Sequence, residues 1–338
     1  VLLTVLVAVA GPATAHAGND DAADFRTEIT SDPTPGLTWR VLGDGMLELH
    51  HTGGAEVVVA GYEDEPYLRF APDGTVWRNA ESPATYLNQS SDGDAPVPPQ
   101  ASAGLPPRWE KVAADGTFAW HDHRTHWMSG QAPSGDETRM VQAWTVPYRV
   151  GEAEPTALTG ELWWTPPADP WLWLLGAVAV LVLPLVELLR RRSWDPTVAA
   201  RVLGIEALVV AALNVVRAVD DVVTVDAPTA DHVGVLVATA FWAGLSVTAA
   251  QFLVRRPERA NLAVVAIAGI SLSWGLGIST VSALSAGFVQ TSLPLSVLRS
   301  IVALTVALAV PTAITAVLVE RRSRAALVAA RRPVTSAA

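Results

Sequence analysis

The feature that most limits what this chain can become is a set of five apolar segments in its second half, 171–189, 197–216, 232–254, 261–284 and 293–319. A helix rises 1.5 Å per residue and a bilayer's hydrocarbon core is about 30 Å thick, so a spanning helix takes roughly 20 apolar residues. Each segment meets that length. Half of the 338 residues are hydrophobic and the mean hydropathy is +0.31, too apolar for an ordinary soluble chain. The spacing predicts a five-helix transmembrane α bundle over 168–320, in contact with a lipid bilayer. Trp163, Trp164, Trp171 and Trp173 cluster where the first helix would meet the membrane interface.

Charge divides the chain at the same place. From Gly18 to Asp169 there are 24 acidic residues against 9 basic, a net of −15, whereas from Pro170 onward 9 acidic stand against 14 basic. The arginines of the second half set an orientation. With the first half outside, Arg190–Arg192, Arg255, Arg256, Arg259 and the tail 321–338 fall on the cytoplasmic side, as the positive-inside bias requires. Only Arg217 and Arg299 remain outside or near it, and an acidic loop 220–231 faces out. The expected location is therefore the plasma membrane, multi-pass, with an extracytoplasmic first half and a cytoplasmic C-terminus.

The start of the chain agrees. Residues 1–17 read as the apolar core of a secretory signal with small-residue cleavage sites; cutting before His16 or before Gly18 is equally compatible with the pattern. From 18 to 167 the pattern is one of short β-branched or aromatic runs: 37–42, 45–51, 55–61, 66–70, 74–79, 116–123, 139–150 and 157–164. Turn signals such as Asp44-Gly45, Gly53-Gly54, Asp73-Gly74 and Asp115-Gly116 punctuate them. This predicts an all-β, sandwich-like domain of antiparallel sheets. A long Pro-, Ser- and Gly-rich loop, 81–109, interrupts it, and loops of that length are commonly functional.

Composition removes several chemistries. The acidic first half disfavours nucleic acid, which is held through basic side chains. There is no cysteine, hence no disulfide framework, no thiolate metal site and no blue-copper centre. Nucleophile-elbow, phosphate-loop and HExxH patterns are absent from the sequence, so no catalytic residue is assigned and the expectation is a non-enzyme.

The densest chemistry lies in "WHDHRTHWM", 120–128, which holds three of seven histidines. If the strand continues through it, alternation puts His121 and His123 on one face, and a turn at Arg124-Thr125 brings up His126. Three imidazoles suit copper or zinc. Met128, His50, His51 and a terminal His16 are weaker candidate ligands. The competing reading is a hydrogen-bonded corner, with Asp122 and Arg124 paired and indole and imidazole groups satisfying backbone atoms. In the bundle, Glu206, Asn214 and Arg217 lie roughly along one helical face and are the candidate intramembrane polar residues. Small residues at every fourth position in 261–284 mark it as a packing helix, in the bundle or between protomers of a homo-oligomer.

"EVVVAGYEDEPYLRF", "SPATYLN", "WHDHRTHWM" and "VQAWTVPYRV", followed by "WWTPPADPWLWL", resemble a family of actinobacterial membrane proteins with a secreted N-terminal domain. That resemblance implies architecture and no activity. "AHA" at 15–17 and "TSDPTPG" at 30–36 are more weakly similar to the copper-handling CopC and YcnI-type secreted domains, which implies copper; the terminal histidine those sites need exists here only if the signal is cut before His16. Three functions follow as expectations. The β domain binds a transition metal, copper above zinc, presented to the bundle or exchanged with a metallochaperone. Alternatively it is an envelope-protein interaction module anchored by the bundle. The third is a transporter or membrane-complex subunit using Glu206.

Overall fold

The computed structural model describes residues 22–43, 45–90, 95–129, 131–179, 196–256 and 281–308. It divides into two compact units, which meet in sequence at 167–168.

In the first unit the strands are β1 (Phe25–Ile29), β2 (Leu37–Val41), β3 (Leu47–His51), β4 (Val57–Ala60), β5 (Pro66–Phe70), β6 (Val76–Asn79), β7 (Trp109–Ala113), β8 (Thr117–Trp120), β9 (Arg139–Val150) and β10 (Thr156–Trp164). They form a seven-stranded sheet, β1-β10-β9-β4-β5-β6-β7, and a three-stranded sheet, β2-β3-β8. Every pairing is antiparallel. Side chains alternate across a strand, so each sheet offers one apolar face. Leu37, Leu47, Leu49 and Trp120 from the small sheet join Val57, Val59, Leu68, Phe70, Val76, Trp144, Val146, Leu158 and Leu162 from the large one in a single core.

All eight runs expected to be strands form them. Two more appear, β1 and β7, and β7 begins at Trp109, the last residue of the expected loop 81–109. That loop also contains a one-turn helix, α1 (Ala84–Leu87). At Gly160 the sheet is packed so closely that a Cβ would stand 2.0 Å from the Trp144 ring and 2.3 Å from the Glu28 carbonyl oxygen. Glycine there is a steric requirement.

The second unit contains α2 (Pro196–Thr224) and α3 (Thr229–Arg255), both long and apolar enough to cross a membrane. Ala200, Leu203, Ala207, Val210, Ala211 and Ala218 are buried on α2, while Val198, Val202, Ile205, Val209, Val216, Val219 and Val223 are exposed. Spacings of three and four put the two sets on opposite faces. Small residues let backbones approach, and Gly204 lies against Ala250, where a Cβ would be 3.2 Å from the carbonyl oxygen.

Two of the five expected spans are thus described along their length. Residues 171–179 and Leu295–Leu308 are helical parts of two others. Most of 261–284, with the oligomerisation stripe, lies outside the described residues, as do the signal segment 1–17 and the tail 321–338. The end of that span is a short helix, α4 (Ser282–Ser285), whose last carbonyls are met by Arg299: Nη2 donates to Ala286 O at 2.8 Å and Nε to Ala283 O at 3.3 Å. The acidic loop 220–231 needs correction. Asp220 and Asp221 are helical, Asp231 lies in the first turn of α3, and the link shrinks to 225–228. Arg217 favours that extension by pairing with Asp221 four residues on, at 2.8 Å.

Candidate functional site

The histidine-rich stretch begins on β8, but the strand stops at Trp120. Asp122 ends it: its carboxylate accepts the backbone N–H of Arg124 at 3.1 Å, and a 3-10 turn follows over His123–Thr125. A short acceptor side chain that captures a backbone donor two residues on competes with the sheet ladder. The expected alternation of His121 and His123 on one strand face is therefore replaced by a turn that points them to different surroundings.

Asp122 is the centre of a buried polar node. Its side chain is fully buried, yet it accepts from Trp120 Nε1 at 3.0 Å, Arg124 Nε at 2.8 Å and Arg124 Nη2 at 2.7 Å. Burial pushes its carboxyl up, but the Arg124 guanidinium and the Trp120 indole outweigh that and hold it below the usual carboxylate range. Arg124 also donates to Gly61 O at 3.1 Å and Ala60 O at 3.2 Å, and lies 5.0 Å from the Tyr62 ring. Its backbone carbonyl receives Gln142 Nε2 from β9, and Thr27 of β1 donates to Thr125 O. One turn thus ties the small sheet to β1, β4 and β9 of the large one.

The same turn fastens the long loop. His123 stacks on Tyr62, ring centroids 5.9 Å apart, and its Nε2 donates to Ser90 O at 2.8 Å. Facing a carbonyl, that nitrogen carries the proton. Tyr62 Oη accepts the His123 N–H at 3.0 Å and donates to Asn88 Oδ1; burial pushes this phenol well above its ordinary range. Glu65, also buried, accepts from Ser82 Oγ at 2.5 Å and from the Glu63 N–H at 2.9 Å. Tyr62, Glu65, Ser82 and Asn88 carried no signal of their own in the sequence, because their roles depend on partners far along the chain.

His121 and His126 do come together, their rings 5.8 Å apart and tilted by 50°. His50 is elsewhere, its Nδ1 2.9 Å from Thr117 Oγ1, and His51 is buried at the end of β3. Met128 is 44% exposed. His16 lies outside the described residues. Among the described residues no group of three or more His, Asp or Glu side chains is arranged to hold a metal ion. The expected His121–His123–His126 triad is not assembled, since His123 is directed to Ser90.

In the second unit, Asn214 Nδ2 donates to Val210 O within α2 at 3.0 Å. Arg217 is buried, 2.8 Å from Asp221 and 3.5 Å from Asp220. Asp220 in turn accepts from Thr291 Oγ1 at 2.6 Å and from the Ser292 N–H and Oγ at 2.9 and 2.6 Å. Asn214 and Arg217 are thus engaged locally, and Glu206 is half-buried on α2.

Comparison with protein families, curated proteins and solved structures finds no match. The reading of function therefore rests on the geometry.

Proposed function

We propose that this is a multi-pass plasma-membrane protein whose extracytoplasmic β domain is a non-catalytic interaction module, with the apolar helices as its anchor. The observation that carries the reading is the use made of "WHDHRTH". Its acid, base and hydroxyl groups, Asp122, His123, Arg124 and Thr125, are built into the scaffold and hold the long loop at Asn88 and Ser90. A loop fixed at its start by partly buried hydrogen bonds presents its described residues 95–108 next to that anchor, as recognition loops require.

An outward sheet face adds support. Val58, Arg69, Trp77 and Lys111 are cross-strand neighbours on β4 to β7, out of phase with the buried Val57, Val59, Leu68, Phe70 and Val76. The Arg69 guanidinium lies 4.9 Å from the Trp109 ring and 5.3 Å from Trp77. Tryptophan and arginine are the residues that dominate binding energy at protein interfaces. The arginine distribution across the apolar segments supports the orientation.

The absence of cysteine makes the test direct. In intact cells, Val97→Cys and Ala227→Cys should react with a membrane-impermeant maleimide and Ala338→Cys should not; a protected Val97→Cys sinks the orientation. A photo-crosslinking residue at Val97 or Trp77 should trap the same discrete envelope protein in cells. No adduct above background at either position refutes the interaction reading.

A further inference from the structure

We propose that Met46 joins His121 and His126 in a site for a soft monovalent metal ion, Cu(I), at the turn between β2 and β3. This goes beyond the interaction reading and does not depend on it. The turn is closed by Leu42 N–H to Met46 O at 2.8 Å and Gly45 N–H to Leu42 O at 2.9 Å. Against it lies His126, whose Cε1 is 2.7 Å from where a Cβ on Gly45 would stand. Only glycine lets the imidazole approach so near, and Gly45 adopts φ +79°, which glycine also favours.

Register brings in His121. The β3–β8 pairing ends with Leu47 opposite Trp120, and Met46 and His121 are the chain neighbours of those two residues. Met46 is also the chain neighbour of Gly45, the residue under the His126 ring. Two imidazoles from one stretch, His121 and His126, thus meet at the turn that carries Met46.

The chemistry fits one ion. Metal–nitrogen bonds of about 2.0–2.1 Å on either side of a shared ion put two imidazole centroids roughly 6 Å apart when the angle at the metal is wide. The observed separation is 5.8 Å. His121 Nδ1 is buried and has no hydrogen-bond partner among the described residues, which is costly for a polar atom unless something binds it. Met46, His121 and His126 are all half-buried, within reach of solvent for loading. A thioether beside imidazole selects Cu(I) over Zn(II), because zinc prefers nitrogen, thiolate and carboxylate. The acidic charge of residues 18–169, net −15, draws cations to the surface.

The test uses the full-length protein in detergent, loaded with Cu(I) under anaerobic conditions against a chromophoric Cu(I) chelator. Cu(I) should bind at one per chain, and His121→Gln and His126→Gln should each weaken it at least tenfold. Met46→Leu conserves volume, and its far-ultraviolet circular dichroism should match wild type. It should weaken Cu(I) by a similar factor and remove the sulfur scatterer from the X-ray absorption spectrum. Because the chain has no cysteine, any sulfur ligand is methionine. Failure of the wild-type protein to bind Cu(I), or unchanged affinity in both histidine variants, overturns the site. Sulfur scattering retained in Met46→Leu but lost in Met128→Leu overturns the assignment of Met46.

Discussion

Replacing Arg124 by alanine should strand the most deeply buried carboxylate among the described residues of the β domain. Asp122 would keep the Trp120 indole and one backbone N–H but lose both side-chain donors of Arg124, at 2.7 and 2.8 Å. Both partners are substantially buried, with side-chain exposures of 19% and 0%, so solvent screening offsets little of the loss. Removing one partner of a buried ion pair costs about 3–5 kcal/mol, and the carbonyls of Ala60 and Gly61 lose charged donors as well. With urea slopes of about 1–3 kcal/mol per molar for small domains, the midpoint should fall by roughly 2 M. Tryptophan fluorescence of the full-length protein in detergent reports the transition, since Trp120 sits on the node. Replacing both charges, Asp122→Leu with Arg124→Met, should recover most of the loss, because an apolar pair of similar volume often matches a buried ion pair. An Arg124→Ala cost below about 1 kcal/mol, or a double variant no more stable than the worse single one, would refute the reasoning.

Two further predictions concern other parts of the molecule. Burial pushes the Tyr67 phenol up to about 12, whereas in the unfolded chain it ionises near 10. A raised folded value means the stabilisation is complete below pH 10 and lost as pH climbs through 12; Tyr67→Phe should flatten that decline in thermal melts between pH 9 and 12, and an unchanged slope counts against it. In the apolar unit, Gly204→Val forces a side chain against the Ala250 carbonyl, and overpacking of that kind costs about 1–3 kcal/mol. Its thermal midpoint in detergent should drop, and an unaltered midpoint would contradict the close approach of α2 and α3.

The strand pattern was readable because period-two alternation is local. The eight runs carried their own β-branched or aromatic residues, with turn signals such as Asp44-Gly45 and Asp73-Gly74 between some of them. β1 was harder: "FRTEI" alternates weakly and forms a strand because β10 supplies the partner. The histidine stretch was legible as dense chemistry but not as geometry. Extending β8 through His123 was reasonable from periodicity, yet one Asp122 side-chain bond to Arg124 N–H turns the chain. The pairing of Asp122 with Arg124 was foreseeable from two-residue spacing; their bonds to Ala60, Gly61, Thr27 and Gln142, made directly or through the turn backbone, join stretches remote in sequence. Met128 drew attention because it is near the histidines in sequence; Met46 adjoins the last β3–β8 pair, Leu47 with Trp120, a neighbour that only strand register reveals.

The pairing of β1 with β10 has a consequence for synthesis. Phe25, among the first residues of the domain, finds its sheet partner in Trp164, among the last. Contacts so distant along the chain form late, because closing a long loop must precede any gain from pairing. β10 ends only a few residues before the helix at 171–179 begins. Until that apolar segment is being made, the large sheet lacks an edge pair. Whatever receives the nascent chain must therefore guard an open strand at the moment it handles the first of the helices.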